Sequence, residues 1–358
     1  MQTLTLNGVV YSPQDLLAFI QIEREQTTLP VWKRAIYNFL RDWYAPTTII
    51  EMLTSGSTGK PKQIHVKKSH MVNSATATLQ ALGIHQQGKA LLILPATYIA
   101  GKMMIVRAIV GGLDLITAPP HLQWSAMNIP YQAYLLVAVV PAQLTDLMQA
   151  DDKTFLDNIT HLLVGGSMLS TDLEQWLSQS KPAIYITYGM TETVSHVALC
   201  RVNTTHYHAL PDIEFNQGDD GHLIIKAPAL CDTVLHTRDL VQLINKKTFI
   251  WLARLDLAIN SGGLKIHPEQ VEAKLSAIMQ PLQQRYLIVG LPDDKLGEIV
   301  TLVIEGHLNA MMKEKLLTKC RQVCRVYEAP RQIKTIKRFI MTNSGKLNRM
   351  QILSTIKT

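Results

Sequence analysis

The chain has 358 residues, of which 47% are hydrophobic and 18% are charged, so it has the composition of a folded globular protein and not of a disordered one. Its length predicts two domains, or one large domain and a smaller one. Pro95, Lys102, Arg107 and Asp114 interrupt the most apolar tract, residues 91–116, and no secretory signal is visible, so we predict no membrane span and a cytoplasmic location.

Two helices are predicted to open the chain. Ser12 has the position of an N-cap, and Pro13 after it favours the first helical position. Residues 31–44 have apolar side chains at helical spacing. Residues 49–53 and 63–66 are then predicted strands, and a segment rich in glycine and hydroxyl side chains connects them.

Short apolar runs and helical stretches alternate from residue 69 to about residue 202. This alternation favours a layered α/β domain with a largely parallel sheet. Thr171 and Glu174 have capping-box spacing at the start of one helix. The predicted strands are 90–94, 113–117, 135–140, 161–164 and 183–187, and the predicted helices include 69–82 and 170–180.

The pattern changes after about Val202, where short strands and turns dominate to about Asn260. A second α/β unit follows. We therefore predict an N-terminal domain of residues 1–255 and a C-terminal domain of residues 256–358, with the boundary near Asp256. The predicted elements of the second unit are a helix opened by Pro268, strands 286–289 and 299–304, a helix over 308–324 and a further strand within 334–340.

Cysteine spacing and charge narrow the possible ligands. We expect reduced thiols and no zinc site, because no C-x-x-C pair occurs among Cys200, Cys231, Cys320 and Cys324. Residues 311–358 carry a net charge of +10, and the rest of the chain carries −3. Such a segment binds nucleic acid, an anionic membrane or a phosphate-rich small molecule, or forms a solvated face. Because aromatic residues do not interleave with the basic ones in the way that a single-strand binder needs, nucleic-acid binding is not predicted.

Residues 54–60 combine hydroxyl side chains, two glycines and a lysine in the order Thr54, Ser55, Gly56, Ser57, Thr58, Gly59 and Lys60. Glycines let backbone N–H groups approach a ligand closely, and hydroxyls and lysine bind anionic oxygens, so the segment has the chemistry of a phosphate cradle. It is not a Walker A loop, because only two residues separate the glycines and Pro61 follows the lysine. On composition alone, a flexible Ser/Gly connection is an equally good interpretation.

Residues 53–62 closely resemble the signature loop of the adenylate-forming superfamily, which contains acyl-CoA synthetases, luciferases and peptide-synthetase adenylation domains. In two of its later motifs the family usually has a glycine, whereas this chain has Arg238 and Ala253 at those positions. The resemblance implies a large N-terminal layered α/β domain and a small mobile C-terminal α+β domain that pivots at Asp256. The further motifs follow in the family's order: Tyr188-Gly189-Met190-Thr191-Glu192-Thr193, Thr237-Arg238-Asp239, Ala253-Arg254-Leu255-Asp256, residues 261–272 and residues 342–349.

The resemblance also implies roles for single residues. Tyr188 would stack on adenine, Asp239 would hold the ribose hydroxyls, Thr191 would contact the α-phosphate and Glu192 would bind Mg²⁺. Lys346 would bridge the substrate carboxylate and the α-phosphate, so Lys346, Thr191 and Glu192 are the predicted catalytic residues. Gly262 and Gly263 would line the coenzyme A tunnel. The ATP-binding residues are predicted to be those of the loop at 54–60 together with Gly165, Gly166, Tyr188, Gly189, Met190, Asp239 and Arg254.

The acid-binding pocket is predicted around Tyr98, where the family places an aromatic residue or a histidine. Arg107 is expected on the helix that follows, in an otherwise apolar stretch where a guanidinium is costly unless it is paired. A second substrate carboxylate or a protein carboxylate would serve as the partner. The chain is similar to the o-succinylbenzoate–CoA ligases of menaquinone biosynthesis, whose substrate is an aromatic dicarboxylate, and Ser167, Ser195 and His196 would then also line the pocket.

We therefore interpret the chain as an ATP-dependent acid–CoA ligase that works through an acyl-adenylate, with Mg²⁺, and that uses 2-succinylbenzoate. The alternatives are another aryl- or acyl-CoA ligase, an adenylating enzyme that loads a carrier protein, and a non-catalytic nucleotide-binding relative. The basic C-terminal segment, with Lys334, Lys337 and Arg338, offers a site for the coenzyme A phosphates. The sequence predicts no oligomeric state.

Overall fold

A computed structural model describes residues 2–53, 63–85, 87–282, 284–340 and 347–357. Its strands form a 13-stranded sheet, a smaller five-stranded sheet and a two-stranded hairpin, and helices pack against the sheets. This mixed α/β architecture with a separate small sheet is the predicted fold class.

The elements of the first part are numbered in chain order. The strands are β1 (Leu4–Leu6), β2 (Val9–Tyr11), β3 (Ile49–Leu53), β4 (Gln63–Lys67), β5 (Lys89–Leu92), β6 (Asp114–Thr117), β7 (Tyr134–Val139), β8 (Ile159–Val164), β9 (Ala183–Gly189), β10 (His196–Arg201), β11 (His206–Ala209), β12 (Glu214–Gln217), β13 (His222–Lys226), β14 (Leu235–Asn245) and β15 (Thr248–Arg254). The helices are α1 (Pro13–Glu25), α2 (Val31–Tyr44), α3 (Lys68–Ala81), α4 (Ile99–Gly111), α5 (Pro141–Gln149) and α6 (Thr171–Ser178).

The large sheet has a parallel half and an antiparallel half. Its strand order is β12-β13-β14-β15-β11-β10-β9-β8-β7-β5-β6-β1-β2. The pairings from β9 to β1 are parallel, as predicted for this stretch, whereas those from β9 to β12 and between β1 and β2 are antiparallel. Strands β3 and β4 form the separate hairpin, which confirms the predicted strand–loop–strand context.

The central strands are covered by helices on both faces. In β5, Ala90 and Leu92 pack into the cluster that contains α3 and α4, whereas Leu91 packs into the cluster that contains α5 and α6. Successive side chains of a strand point to opposite faces, so a strand that is buried on both faces is apolar throughout. This explains why β5, β7 and β8 appear in the sequence as continuous apolar runs.

The prediction that the chain opens with two helices is wrong, because the hairpin of β1 and β2 precedes α1. Strand β1 pairs in parallel with β6 and so extends the large sheet. Each strand has only three residues, too few for a periodic pattern to be visible. The signal that was missed is Asn7-Gly8, whose φ values of 50° and 83° are those of a tight hairpin turn. Helices α1 and α2 follow as predicted, and the Ser12 side chain caps α1.

The predicted capping box at Thr171 and Glu174 is also wrong. The N-cap of α6 is Ser170, whose side chain accepts a hydrogen bond of 3.3 Å from the Leu173 N–H group. Glu174 accepts instead from the Asn203 backbone N–H at 3.2 Å. The helix therefore starts at Thr171, one residue earlier than an N-cap at Thr171 would allow, and Glu174 connects α6 to the end of β10.

The smaller sheet begins just after β15. Its elements are β16 (Ile259–Ser261), β17 (Leu264–Ile266), α7 (Pro268–Met279), β18 (Tyr286–Asp293), β19 (Gly297–Glu305), α8 (Ala310–Val323), β20 (Gln332–Ile336) and α9 (Arg349–Lys357). Strand β20 covers only the first part of the strand predicted within 334–340 and begins two residues before it. Asp256 lies in the short turn Leu255–Leu257 between the two sheets. The domain boundary and the pivot at this point stay predictions.

Within the ranges that the structure describes, no helix is long and apolar enough to cross a membrane. The cytoplasmic location stays a prediction. The four cysteines are free thiols. Cys320 is buried on α8, whereas Cys324 follows the last helical residue and has an extended backbone, so the predicted shared helix face is wrong, although both thiols are buried in the same cluster.

The corrected cap of α6 leads to a stability prediction. Ser170→Ala should lower the free energy of unfolding by about 1 kcal/mol, because the Leu173 N–H group loses its acceptor. Thr171→Ala removes a hydroxyl from the adjacent position and should change it by less than about 0.5 kcal/mol. Urea unfolding of both variants measures the difference, and an equal loss in the two would contradict the observed cap.

Candidate active site

The predicted site residues lie where neighbouring parallel strands end. Strand β5 leads to Tyr98 at the start of α4, β8 leads to Gly165–Ser167, and β9 ends in Tyr188 and Gly189. Because β5, β7, β8 and β9 are adjacent and parallel, their carboxyl ends share one edge of the sheet. This edge is where open α/β sheets bind their ligands.

A strained turn follows β9. A Cβ atom on Gly189 would overlap the Ser195 carbonyl oxygen, so the motif requires glycine at this position. The Thr193 side chain closes the turn by accepting a hydrogen bond of 3.0 Å from the Met190 N–H group. Val194 then has a φ of 66°, a conformation that β-branched residues rarely adopt. Such strain persists only where the surroundings impose it, and here it directs Ser195 and His196 back into the sheet.

Asp239 is the centre of a buried polar network. Its carboxylate is held by the Tyr188 hydroxyl at 2.7 Å, the Trp251 indole N–H at 3.1 Å and Arg254 Nη1 at 3.5 Å. The residue is 4% exposed. Burial, followed by the charge and hydrogen bond of Asp239, raises the pKa of Tyr188 well above its ordinary value, so the phenol stays neutral and donates.

Arg254 connects this network to the turn between the two sheets. It pairs with Asp239 across β14 and β15, and its Nε and Nη2 atoms donate to the Asp256 carboxylate at 2.9 and 2.8 Å. Burial opposes the charge on Asp256, but the hydrogen bonds and charge of Arg254 outweigh burial and lower the pKa of Asp256. Arg254 therefore links Asp239 and Asp256, two predicted site residues that belong to different sequence motifs.

Arg107 is 2% exposed, and in the described ranges it has no carboxylate partner. Its Nη2 atom donates to Ser195 Oγ at 2.9 Å and lies 3.4 Å from His196 Nδ1. The Nη1 atom lies 3.8 Å from the sulfur of Met104, and Nε has no hydrogen-bond partner. The structure thus joins three of the predicted acid-binding residues, and the alternative of a salt bridge to a described protein carboxylate is wrong.

Both ionisable groups of this cluster respond to burial. Loss of solvation lowers the pKa of Arg107 to about 9, so the guanidinium is still charged near neutral pH. Burial and then the charge of Arg107 lower the pKa of His196 well below its ordinary value, which makes the imidazole neutral. The cluster therefore holds one net positive charge that the described side chains do not neutralise.

The other predicted acid-site residues do not touch Arg107. Tyr98 is half-buried at the start of α4, and Ser167 is exposed beyond β8. Arg107 lies about 13 Å further along α4 than Tyr98, from the rise of 1.5 Å per residue. Neither Tyr98 nor Ser167 makes a side-chain hydrogen bond to a described residue. Their roles in acid binding stay predictions.

The predicted roles of Glu192 and of the two glycine pairs stay predictions, and the structure describes their surroundings. Glu192 is exposed, and its carboxylate has no partner among the residues described. Gly165 has no room for a Cβ atom beside the Thr187 hydroxyl, and Gly166 has a φ of 97°. Gly262 and Gly263 form the turn between β16 and β17 with φ values of 59° and 80°, which only glycine adopts easily.

Two predictions fall on residues outside the described ranges. They are the phosphate cradle at residues 54–60 and the catalytic Lys346, and both stay predictions. Strand β3 precedes residues 54–60 and β4 follows them, and Arg349 lies three residues after Lys346. Arg349 donates to both Glu272 oxygens at 2.9 and 2.8 Å and to the Ile288 carbonyl at 3.2 Å, so the end of the last motif is fixed to α7 and β18.

Several residues of the site were not found from the sequence. The Trp251 indole donates to Asp239, and Thr78 Oγ1 lies 3.0 Å from His196 Nε2. Val194 forms the strained turn after β9. Thr78 and His196 are 118 positions apart in the chain, so no local spacing in the sequence indicates their contact. The sequence gives a weak indication of the turn at Val194, because this residue directly follows the motif of residues 188–193.

Residues 41–218 match the family of AMP-binding enzymes. A 2-succinylbenzoate–CoA ligase from Listeria monocytogenes is 24% identical over 338 residues, which is 87% of this chain and 71% of the relative. A protein of the same name from Staphylococcus aureus is 26% identical over 377 residues, which is 98% of this chain and 75% of the relative.

Solved structures have the same fold. An acyl-CoA synthetase (AMP-forming)/AMP-acid ligase II-like protein from Dyadobacter fermentans is 29% identical, with a TM-score of 0.61, and the likeness covers 97% of this chain and 99% of that one. O-succinylbenzoate coenzyme A synthetase from Bacillus subtilis, in complex with ATP and magnesium ion, has a TM-score of 0.73 at 22% identity, over 85% of this chain and 69% of that one. At that identity the second likeness shows the fold alone.

The contact between Gly189 and Ser195 leads to a prediction. Gly189→Ala should lower the free energy of unfolding by about 3 kcal/mol, because the new methyl group must displace the Ser195 carbonyl. Gly83→Ala, at a φ of 65° with open space around it, should lower it by about 1 kcal/mol through backbone conformation only. Equal losses in urea unfolding would show that the close approach at Gly189 does not constrain the turn.

Proposed function

We propose that this chain is an ATP-dependent acid–CoA ligase of the adenylate-forming superfamily whose acid is 2-succinylbenzoate, since residues 41–218 match the AMP-binding enzymes. The product is 2-succinylbenzoyl-CoA, an intermediate of menaquinone biosynthesis. Relatives that carry the name 2-succinylbenzoate–CoA ligase support this assignment. The observation that carries it is the buried Arg107 guanidinium, which no described carboxylate neutralises.

In the first step a carboxylate oxygen of the acid attacks the α-phosphorus of ATP. The bond from that phosphorus to the pyrophosphate oxygen breaks, and an acyl-adenylate forms. We assign Lys346 to the negative charge that develops between the carboxylate and the α-phosphate, and the loop at 54–60 to the leaving pyrophosphate. Thr191 is assigned to an oxygen of the α-phosphate.

A magnesium ion fits Glu192. Among the residues that the structure describes, no group of three or more His, Cys, Asp or Glu side chains could hold a metal ion. Mg²⁺ is usually bound by one or two carboxylates together with substrate phosphates and water, so the single exposed Glu192 carboxylate suits it. When bound, the ion neutralises charge on the phosphates.

The ribose of ATP is assigned to Asp239. The carboxylate has two oxygens and about four lone-pair directions, of which Tyr188, Trp251 and Arg254 take up three. Ribose hydroxyls are donors and can use what remains. Adenine is assigned to Tyr188, whose half-buried ring makes T-shaped contacts with Tyr207 and Phe249.

The second carboxylate of the acid is assigned to Arg107. A charged guanidinium in an apolar helix is unfavourable without an anion, and the ligand would supply it. Ser195 and His196 occupy Nη2, so the unpartnered Nε and the weakly bonded Nη1 are the groups left for the ligand. The benzoate carboxylate would bind here while the succinyl carboxylate is adenylated.

In the second step the coenzyme A thiol attacks the acyl carbon, the bond from that carbon to the phosphate oxygen of AMP breaks, and the thiol loses its proton. We propose that the C-terminal domain turns about Asp256 between the steps and brings Gly262 and Gly263 to the active site. Lys334, Lys337 and Arg338 are exposed, as a site for the coenzyme A phosphates requires. That site stays a prediction.

Arg107→Leu tests the assignment of the acid. KM for 2-succinylbenzoate should rise by about 10- to 100-fold, because a charge-assisted hydrogen bond is lost. KM for a monocarboxylate such as 4-phenylbutyrate should stay within about twofold of its value in the unsubstituted enzyme. Pyrophosphate release across a panel of acids, with and without coenzyme A, measures both. Arg238→Leu, an exposed arginine on β14, is the matched control and should leave both unchanged. An unchanged preference in the Arg107 variant would remove the case for a dicarboxylate.

Lys346→Ala tests the adenylation step. Formation of the acyl-adenylate should fall by about 10²-fold or more, because the charge on the α-phosphate is no longer stabilised. Transfer of the acyl group from preformed acyl-adenylate to coenzyme A should be nearly unchanged. Single-turnover assays of the two half-reactions separate the effects. Lys357→Ala serves as a control for removing a lysine near the C-terminus. Equal losses in both half-reactions would contradict the role.

A further inference from the structure

The buried side of the Arg107 cluster ends on α3. Thr78 is fully buried there, and its Oγ1 atom lies 3.0 Å from His196 Nε2. We propose that Thr78 is a positioning residue that selects the tautomer of His196 and thereby orients Arg107 toward the acid. The inference rests on the proposed function, in which Arg107 binds the second carboxylate of the substrate.

The hydrogen-bond directions around His196 admit one arrangement. Arginine has donors only, so Nδ1 of His196 accepts from Arg107 Nη2 at 3.4 Å. The Ser195 hydroxyl, at 3.5 Å, faces the same ring nitrogen. The ring proton must then be on Nε2, which donates to Thr78 Oγ1. The Thr78 hydroxyl in turn donates to the Ser74 carbonyl oxygen at 2.9 Å.

Each member of this chain of hydrogen bonds is buried. His196 is 6% exposed and Arg107 is 2% exposed, so water is not freely available to replace a lost partner. Without the Thr78 hydroxyl, a proton on Nε2 has no acceptor, whereas a proton on Nδ1 would face the Arg107 N–H group, donor against donor. Either outcome weakens the contact that fixes the guanidinium plane.

The helix offers a matched control one turn away. Ser74 is also fully buried, but its Oγ atom has no hydrogen-bond partner in the described ranges. Thr78→Val and Ser74→Ala therefore each remove one buried hydroxyl from the same face of α3, and only the first hydroxyl contacts His196. Thr78→Ser keeps the hydroxyl and loses only a methyl group.

The kinetic test compares the three variants in the full-length enzyme. In Thr78→Val, KM for 2-succinylbenzoate should rise by about 5- to 20-fold, the effect of one buried hydrogen bond, while kcat with a monocarboxylate stays within about twofold. Thr78→Ser should restore KM to within about threefold of the unsubstituted enzyme, and Ser74→Ala should leave it unchanged. A similar loss with both kinds of acid would mean that Thr78 only packs, and would overturn the proposal.

A second measurement does not depend on the substrate. Ring ¹⁵N chemical shifts of His196, assigned with a His196→Gln variant, should show the Nε2–H tautomer in the unsubstituted enzyme and in Thr78→Ser, and a mixture or the other tautomer in Thr78→Val. An unchanged tautomer in Thr78→Val would overturn the proposal even where KM rises. If the tautomer changes but neither Thr78→Val nor Arg107→Leu alters the acid preference, the hydrogen-bond chain stands and the proposed acid fails.

Discussion

The loss of hydration of a buried guanidinium has to be compensated by other polar or charged groups. This requirement decides the arrangement of the residues around Arg107, where we propose that the acid binds. Helix α4 is apolar on every face near Arg107, and the described residues around it offer a hydroxyl, a neutral imidazole and a thioether but no carboxylate. Neutral acceptors satisfy N–H groups without removing the charge. The fold therefore leaves a buried cation without a described counter-ion, and the anionic ligand that we propose would supply one.

Asp239 shows the opposite arrangement. Here a carboxylate is buried, and the described part of the chain supplies its hydrogen-bond donors from β9 and β15. The two clusters are joined through β9 and the turn after it, because Tyr188 ends that strand and Ser195 and His196 start β10. The close approach of Gly189 to Ser195 fixes that turn, so the spacing of one motif sets the geometry of both the Asp239 network and the Arg107 cluster.

Much of the fold followed from the sequence, because long periodic segments such as Val31–Tyr44 dictate their own structure. Short elements did not, since the three residues of β1 gain their stability from pairing with β6, more than 100 positions away. The motif residues were found by resemblance. Their partners Trp251 and Thr78 were not, because an indole or a hydroxyl in a strand or helix carries no signal until the fold places it beside its hydrogen-bond partner.

The strand that carries Asp239 has one more consequence. Side chains on β14 alternate, so Thr237 and Asp239 face inward and Arg238 faces solvent. The strand does not require glycine at position 238, because the Arg238 side chain faces solvent and leaves the aspartate undisturbed. A search pattern that requires glycine at position 238 would therefore miss a chain that keeps the aspartate together with its three hydrogen-bond donors.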